Sequence, residues 1–378
     1  MQTTYLNQAA TSFPKPREVV EAVLAWFDAP PVDAGRGGDI AADPITPCRR
    51  ELAALLGVDD HKRIVLLPSA TYAINLVIGA LVGPGSHVVT STLEHNSVLR
   101  PIAHRERDLG ATVTSIQPDP DGTLQARTLA GALRSTTALV ALTHASNVTG
   151  SIQPIAELAE TAAAAGVPLL VDASQTAGAV PIDHRHLAGR VFLAFSGHKG
   201  LLGPPGVGGL VVPDDGLPQT VVGGTGVRSD AVFHPGDLPL RHEAGTPNLP
   251  GIAGLTAGVR VVGRTGVETI GRHRAHLVGR LRSGLSGLGH VRLFPLAADD
   301  GRVGVVSFQI AGWEPDEVGF VLRESFGIEV RTGLHCAPHA LRGLTGGPGG
   351  SIRVSVGLPS SEADVSSFLA AIASLGEH

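Results

Sequence analysis

The chain has 378 residues, 43% of them hydrophobic, and a formal net charge of −5 from 29 basic and 34 acidic side chains. That length and apolar share suit a large core divided between two lobes, and the lack of any block of like charge points to small molecules rather than nucleic acid or an anionic membrane. The first twenty residues, with Asn7, Pro14, Lys15, Pro16 and Glu18, have no signal-peptide apolar stretch, and no later apolar run reaches membrane-spanning length, so a cytoplasmic location is expected.

In chain order, a helix is expected from Arg49 to Leu56, and then short apolar runs alternate with helical patterns. The runs are Ile64 to Leu67, His87 to Thr90, Thr112 to Ile116, Ala138 to Thr143, Pro168 to Asp172, Val191 to Phe195 and Gly209 to Val212. Helices are predicted at Tyr72 to Leu81, Ser97 to Leu109, Thr128 to Leu133 and Ile155 to Ala165. Continuous apolar strands separated by helices are the pattern of a mostly parallel sheet covered on both faces, so the large lobe is α/β. Beyond a turn-rich stretch from Gly223 to Pro250, one long helical region from Gly251 to Leu288 precedes short strands at Val291 to Phe294 and Val303 to Gln309. A helix from Asp316 to Phe326, strands at Ile328 to Arg331 and Ile352 to Ser355, and a last helix from Ser361 to Leu375 complete a smaller α+β lobe. The expected division is an N-terminal segment over 1–15, a large domain over 16–250 and a small domain over 251–378.

Ligands of open α/β sheets bind beyond the carboxyl ends of the strands, so the residues following each apolar run carry the chemistry. Only three lysines occur, and Lys199 follows the run ending at Phe195, within Ser196-Gly197-His198-Lys199. A buried amine at a strand end is suited to a Schiff base with an aldehyde cofactor. Asp172 ends another strand 27 residues earlier, where its carboxylate either caps the next turn or keeps a pyridine nitrogen protonated. That Asp-to-Lys spacing resembles the spacing in fold-type I pyridoxal phosphate enzymes. Ser69-Ala70-Thr71 opens a helix, as an ordinary cap or as a phosphate site of free N–H groups and a hydroxyl. His95 is placed to stack on a bound ring, and His144 and Asn147 to reach a ring oxygen; singly each is an ordinary turn residue. Gly203 to Gly209 lacks the GxGxxG spacing and runs into a strand, which excludes a dinucleotide fingerprint. Cys48 and Cys336 are too few for a disulfide framework and lack zinc-site spacing.

THASNVTG at 143–150, VDASQTAG at 171–178, FSGHKGLLGPPG at 195–206, HEAGTPNLPGIAGL at 242–255 and RTGLHCAPHA at 331–340 resemble the class V aminotransferase superfamily of fold-type I enzymes. Within it the chain is most similar to cysteine desulfurases of the SufS-like and selenocysteine lyase branch, over nearly its whole length. The resemblance implies a seven-stranded, mostly parallel sheet and pyridoxal 5'-phosphate bound at Lys199. It further implies that Asp172 pairs with the pyridinium, that His95 stacks on the ring, and that Asn147 and Gln175 bond its phenolic oxygen. Ala70, Thr71, Ser196 and His198 would hold the phosphate, with Thr246 reaching the phosphate of a neighbouring subunit in a homodimer. Arg353 would clamp the substrate α-carboxylate, assisted by Asn147, and Arg36 lies in a stretch that in relatives reaches the other subunit's site.

The same resemblance makes Cys336 the residue that decides the reaction. In the family this thiol takes the sulfur of L-cysteine as a persulfide for an acceptor protein, leaving alanine, while Lys199 moves protons. The chemistry needs a thiolate, and Arg331, His335 and His339 are neighbours of the kind that favours one. A structural buried thiol is the competing reading, as is a C–S lyase, selenocysteine lyase or epimerase that needs Lys199 but not Cys336. A non-catalytic sulfur carrier or regulatory protein is the competing reading from another class. The chain departs from the family pattern at Tyr72, at Leu334 and in Gly357-Leu358-Pro359-Ser360.

Overall fold

In the computed structural model, residues 3–28, 43–294, 302–345 and 349–376 are described. Seven strands form the central sheet: β2 (Ile64–Leu67), β3 (His87–Ser91), β4 (Thr112–Ile116), β5 (Thr137–Thr143), β6 (Leu169–Asp172), β7 (Val191–Ser196) and β8 (Gly208–Val211). Their order is β2-β8-β7-β6-β5-β3-β4. All neighbours run parallel except β8, which is antiparallel to both β2 and β7. Nearly every residue of β2, β5, β6 and β7 is buried, because helices cover both faces, and this is why these strands read as unbroken apolar runs. Helices α3 (Ala70–Leu81) and α4 (Asn96–Leu109) lie on one face, where Ile74, Ile78 and Ile102 pack with Leu139, Phe192 and Ala194. On the other face, Leu52 and Leu56 of α2 (Ile45–Leu56) and Leu158 of α6 (Ile155–Ala164) pack with Leu142, Val171 and Leu193. A short α5 (Ala126–Ala132) adds Leu129 to that face.

Register aligns the chemistry. Asp172 is paired across the ladder with Thr143 on one side and Ala194 on the other. The residues that follow β3, β5, β6 and β7 therefore emerge along one edge.

The long helical region expected over 251–288 is two helices, α7 (Leu249–Thr265) and α8 (Val267–Ser286). Gly266 separates them with φ 82°, a conformation only glycine adopts cheaply. Ile252, Leu255 and Val259 of α7 pack in the large-lobe core, whereas Leu277, Leu281 and Leu285 of α8 pack in the small-lobe core. The second sheet has the order β12-β13-β10-β9, formed by β9 (Val291–Leu293), β10 (Val305–Ile310), β12 (Arg331–Gly333) and β13 (Ser351–Ser355). Helices α9 (Pro315–Phe326) and α11 (Glu362–Ser374) supply Val318, Leu322, Phe368 and Ile372 to its core.

The strand expected over 328–331 splits. Ile328–Glu329 forms β11, which pairs in parallel with an N-terminal strand β1 (Thr4–Tyr5), while Arg331 turns into the other sheet. Helix α2 starts at Ile45, earlier than expected, and so contains Cys48, which is fully buried and whose thiol is pushed up to about 12 by burial. Helices α1 (Arg17–Phe27) and α10 (Pro338–Thr345), together with β1, have no counterpart in the pattern-based reading. Among the described residues no helix is long and apolar enough to cross a membrane.

Candidate active site

The N-terminal segment crosses between the lobes. Leu6 and Gln8 make backbone bonds to Glu329 and Ser355 in the small lobe. Farther on, the carbonyl of His198 accepts from Ser12 N–H at 3.0 Å, Thr11 Oγ1 at 3.1 Å and Lys15 Nζ at 2.9 Å. The turn that carries Lys199 is thus fixed from outside the sheet. Inside it, a Cβ on Gly197 would lie 2.6 Å from the Val207 carbonyl, and one on Gly208 would lie 2.9 Å from Ala70 N, so both positions require glycine for close backbone approach.

Lys199 retains some exposure as a residue, but its ammonium end is desolvated, and that burial lowers its pKa to about 8 against the opposing attraction of Asp172. Arg353, Arg331 and Cys336 also act on it, so all four groups surround the amine. Asp172, 5% exposed, accepts from Ser174 N–H at 2.9 Å and from Ser97 Oγ at 3.4 Å. His95 caps α4 with its ring: Nδ1 accepts from Ser97 N–H at 3.0 Å. Burial pulls the His95 pKa down to about 4, opposed by Asp172 and reinforced by Lys199, Arg331 and Arg353, so the imidazole is neutral at physiological pH.

Arg353 is fully buried on β13. Its Nη1 donates to the Asn147 carbonyl at 3.0 Å and its Nη2 to Asn7 Oδ1 at 3.2 Å, while Nε has no partner. Across the β12–β13 ladder it stands opposite Arg331, whose Nη2 donates to Cys336 Sγ at 3.1 Å. The partners of these two guanidiniums are carbonyl and amide oxygens and a sulfur rather than carboxylates, which leaves positive charge directed into the cleft. Cys336 sits at φ 59° between β12 and α10, and its carbonyl accepts from Asn96 N–H at 2.7 Å, tying the small-lobe loop to the start of α4. Thr71, His95, Ser97, Arg100 and Cys336 line one cavity of about 620 Å³.

The sequence-predicted residues are distributed as follows. His95, Asp172, Lys199, Arg353 and Cys336 converge, and Asn147 joins them by donating its amide to the His335 carbonyl at 2.7 Å. Ala70 and Thr71 open α3, capped by Ser69, whose hydroxyl accepts from Tyr72 N–H, so the first-turn N–H groups point out of the helix end. Ser196 Oγ lies 3.4 Å from Ser174 Oγ, and His198 Nδ1 is buried without a partner beside Lys199. Gln175 donates to the Ala9 carbonyl at 3.1 Å. Thr246 is exposed and lines a separate cavity of about 380 Å³ with Tyr72, Gly206 and Thr225. Arg36 lies outside the described residues. His144, buried with Nδ1 unpartnered, has its pKa lowered to about 4 by burial.

His335 differs from expectation. Its ring is buried, is bonded to Ser351 Oγ at 2.8 Å and is kept neutral by that burial and by Arg353, so Arg331 is the cation that meets the Cys336 sulfur.

Glu94 went unrecognised as a site residue because glutamate before a helix reads as a solvated charge. It is fully buried: Oε1 accepts from Ser91 Oγ at 2.6 Å and Thr143 N–H at 3.0 Å, and Oε2 has no partner. Burial, and secondarily Asp172, raises its pKa to about 8, so the Glu94 carboxyl is largely protonated at neutral pH. Because the folded value lies above the unfolded one, the stability linked to Glu94 is complete below the unfolded pKa of about 4.3 and is lost as pH rises through about 8. The Glu94→Gln variant should therefore show thermal stability that falls less between pH 5 and pH 8 than that of the parent, as measured by melting curves across that range. Equal slopes would refute the neutral carboxyl.

An amine held near its deprotonation point at a strand end, a carboxylate beside it and surplus cations around both have the chemistry suited to an enzyme that binds an anion and forms a Schiff base. The chain belongs to the aminotransferase class-V family, whose model matches residues 4–368. A probable cysteine desulfurase of Methanothermobacter thermautotrophicus is 32% identical over 364 residues, 93% of this chain and 89% of that protein. Among solved structures, the apo cysteine desulfurase of Thermococcus onnurineus NA1 is 32% identical with a TM-score of 0.91, covering 100% of this chain and 95% of that one. The cysteine desulfurase CsdA of Escherichia coli is 27% identical with a TM-score of 0.87, covering 99% and 95%.

Proposed function

We propose that this protein is a pyridoxal phosphate-dependent L-cysteine desulfurase that leaves alanine and a persulfide on Cys336. The observation that carries the reading is the position of Cys336 Sγ, 3.1 Å from Arg331 Nη2 in the cavity that His95 lines and close enough to Lys199 to bear on its charge.

The residues fit the cofactor. Lys199, with its pKa near 8, presents a substantial neutral fraction for attack on an aldehyde, and His198 Nδ1 is an unused buried polar atom next to it. Asp172 supplies a carboxylate suited to a pyridinium, while Thr71, Ser196 and the start of α3 supply donors for a phosphate. When bound, the cofactor supplies an electron sink that labilises bonds at the substrate Cα.

The protein's groups do the rest. Arg353 holds the α-carboxylate, its orientation set by Asn147 and Asn7. Lys199 takes and returns the proton at Cα. Cys336 sulfur forms an S–S bond to the substrate sulfur as the C–S bond breaks. The electron pair of that bond passes to carbon, which gains a proton and leaves as alanine, so no external oxidant or reductant is needed.

The finer reading is a SufS-like enzyme, cytoplasmic, that passes the persulfide to an acceptor protein and works as a homodimer in which Thr246 and Arg36 serve the other subunit's site. The exposed position of Thr246, away from the cavity of Thr71 and His95, supports that role, as does the exposed apolar loop with Val232 at 93% and Phe233 at 86%.

The test is a single turnover of the purified protein with stoichiometric L-cysteine, read by intact-mass and peptide mass spectrometry. One added sulfur on Cys336 with an equal amount of alanine is expected. Pyruvate or free sulfide with an unmodified Cys336 would overturn the reading in favour of a lyase.

A further inference from the structure

Ser97 touches both polar residues that flank the cofactor position. Its backbone N–H donates to His95 Nδ1 at 3.0 Å, and its hydroxyl oxygen lies 2.9 Å from that nitrogen and 3.4 Å from Asp172 Oδ2. The residue is buried, at 7% exposure, in the first turn of α4. One ring nitrogen has one lone pair, and one hydroxyl has one proton. The lone pair of Nδ1 is taken by the Ser97 N–H, so the imidazole proton belongs on Nε2. The hydroxyl proton then lies between two acceptors, Nδ1 at 2.9 Å and Asp172 Oδ2 at 3.4 Å, and the other oxygen of that carboxylate is held by Ser174 N–H at 2.9 Å.

We propose that Ser97 is a positioning residue of this site, its N–H locking His95 as the neutral Nε2–H imidazole and its hydroxyl orienting Asp172, so that one residue sets both groups that meet the cofactor ring. A second proton on His95 Nδ1 would oppose the Ser97 N–H, and Lys199, Arg331 and Arg353 all face the ring with like charge, while Asp172 alone faces it with the opposite sign. Asp172 in turn faces His95, Lys199 and the buried Glu94. The part concerning the cofactor rests on the pyridoxal phosphate reading above. The tautomer does not.

The experiment is long-range ¹H–¹⁵N spectroscopy of the full-length histidine-labelled protein, with and without pyridoxal phosphate, using His95→Gln to identify the His95 signals. An unprotonated Nδ1 and a protonated Nε2 are expected in the parent and in Ser97→Ala, since the backbone donor survives that change. Ser97→Ala should bind pyridoxal phosphate about tenfold more weakly, the usual scale for one hydrogen bond to a charged group, and show weaker visible circular dichroism. Ser97→Thr, which keeps the hydroxyl, should restore both. A proton on Nδ1, or an imidazolium at neutral pH, overturns the lock, and unchanged affinity and dichroism in Ser97→Ala overturn the Asp172 link. Should the parent itself fail to bind pyridoxal phosphate, the functional reading falls while the nitrogen pattern still decides the lock.

Discussion

Lys199→Ala should abolish the visible absorption of the lysine-bound cofactor and lower alanine formation from L-cysteine by about 10³-fold or more, the combined scale of losing a nucleophile and a general base. Two features of the site support so large an effect. Neither other lysine is placed to substitute, because Lys15 is bonded to the His198 carbonyl and to Ser12 Oγ, and Lys62 lies in a short helical turn before β2. The lowered pKa of Lys199 arises mainly from desolvation, which a small replacement cannot reproduce for an added amine in solution. The pH dependence has a definite sign. The nucleophile is the neutral amine, so the rate of cofactor attachment to the apo protein should rise with pH through about 8 and then level off. Stopped-flow absorbance between pH 6 and pH 10 measures it, and a midpoint near 10 would mean that the site does not desolvate Lys199. Folding should survive the substitution, since removing a buried ammonium relieves a desolvation penalty.

How much of this was legible follows from how local each signal is. The strands of the large lobe announced themselves because a sheet buried on both faces needs unbroken apolar runs, and Ile64–Leu67 and Thr112–Ile116 match their expected limits. Asp172 and Lys199 could be found because each stands at the end of such a run. Gly266 was harder to weigh: a glycine inside a helical pattern usually costs helix stability without ending it, and only its φ of 82° shows that the chain turns there. Strand β1 has two residues and gains its order by pairing with β11, a contact across more than 320 positions that no local pattern encodes. Glu94 and Ser97 went unrecognised for a related reason. Their roles come from Thr143, Asp172 and burial, whereas in sequence they look like polar residues introducing a helix. Arg353 is the opposite case, since a lone arginine within an apolar strand already demands a partner, and the resemblance named one.

Cys336→Ser should leave the cofactor spectrum and the binding of L-cysteine nearly unchanged while reducing alanine formation by about 10²-fold or more, the loss expected when a nucleophile is replaced by a poorer one at the same position. The separation of the two effects follows from where the residue sits. Its side chain bonds Arg331, and its backbone carbonyl holds Asn96 N–H, a contact that serine preserves. His95, Asp172 and Lys199 belong to the large lobe and keep their own partners without Sγ. The thiol thus stands on the loop after β12 and the amine and carboxylate on the large lobe, so deleting Sγ tests the proposed sulfur step without disturbing the groups proposed to hold the cofactor. A lyase or an epimerase built on the same lysine would not need the thiol. If Cys336→Ser retained most of its turnover, Lys199 and Asp172 would keep their roles, but the sulfur would have to leave without passing through the protein. Arg331 offers an independent check, because it orients the sulfur and stands beside Arg353. Arg331→Ala should lower alanine formation in the parent and have little further effect when combined with Cys336→Ser, whereas additive losses would place Arg331 on the substrate instead.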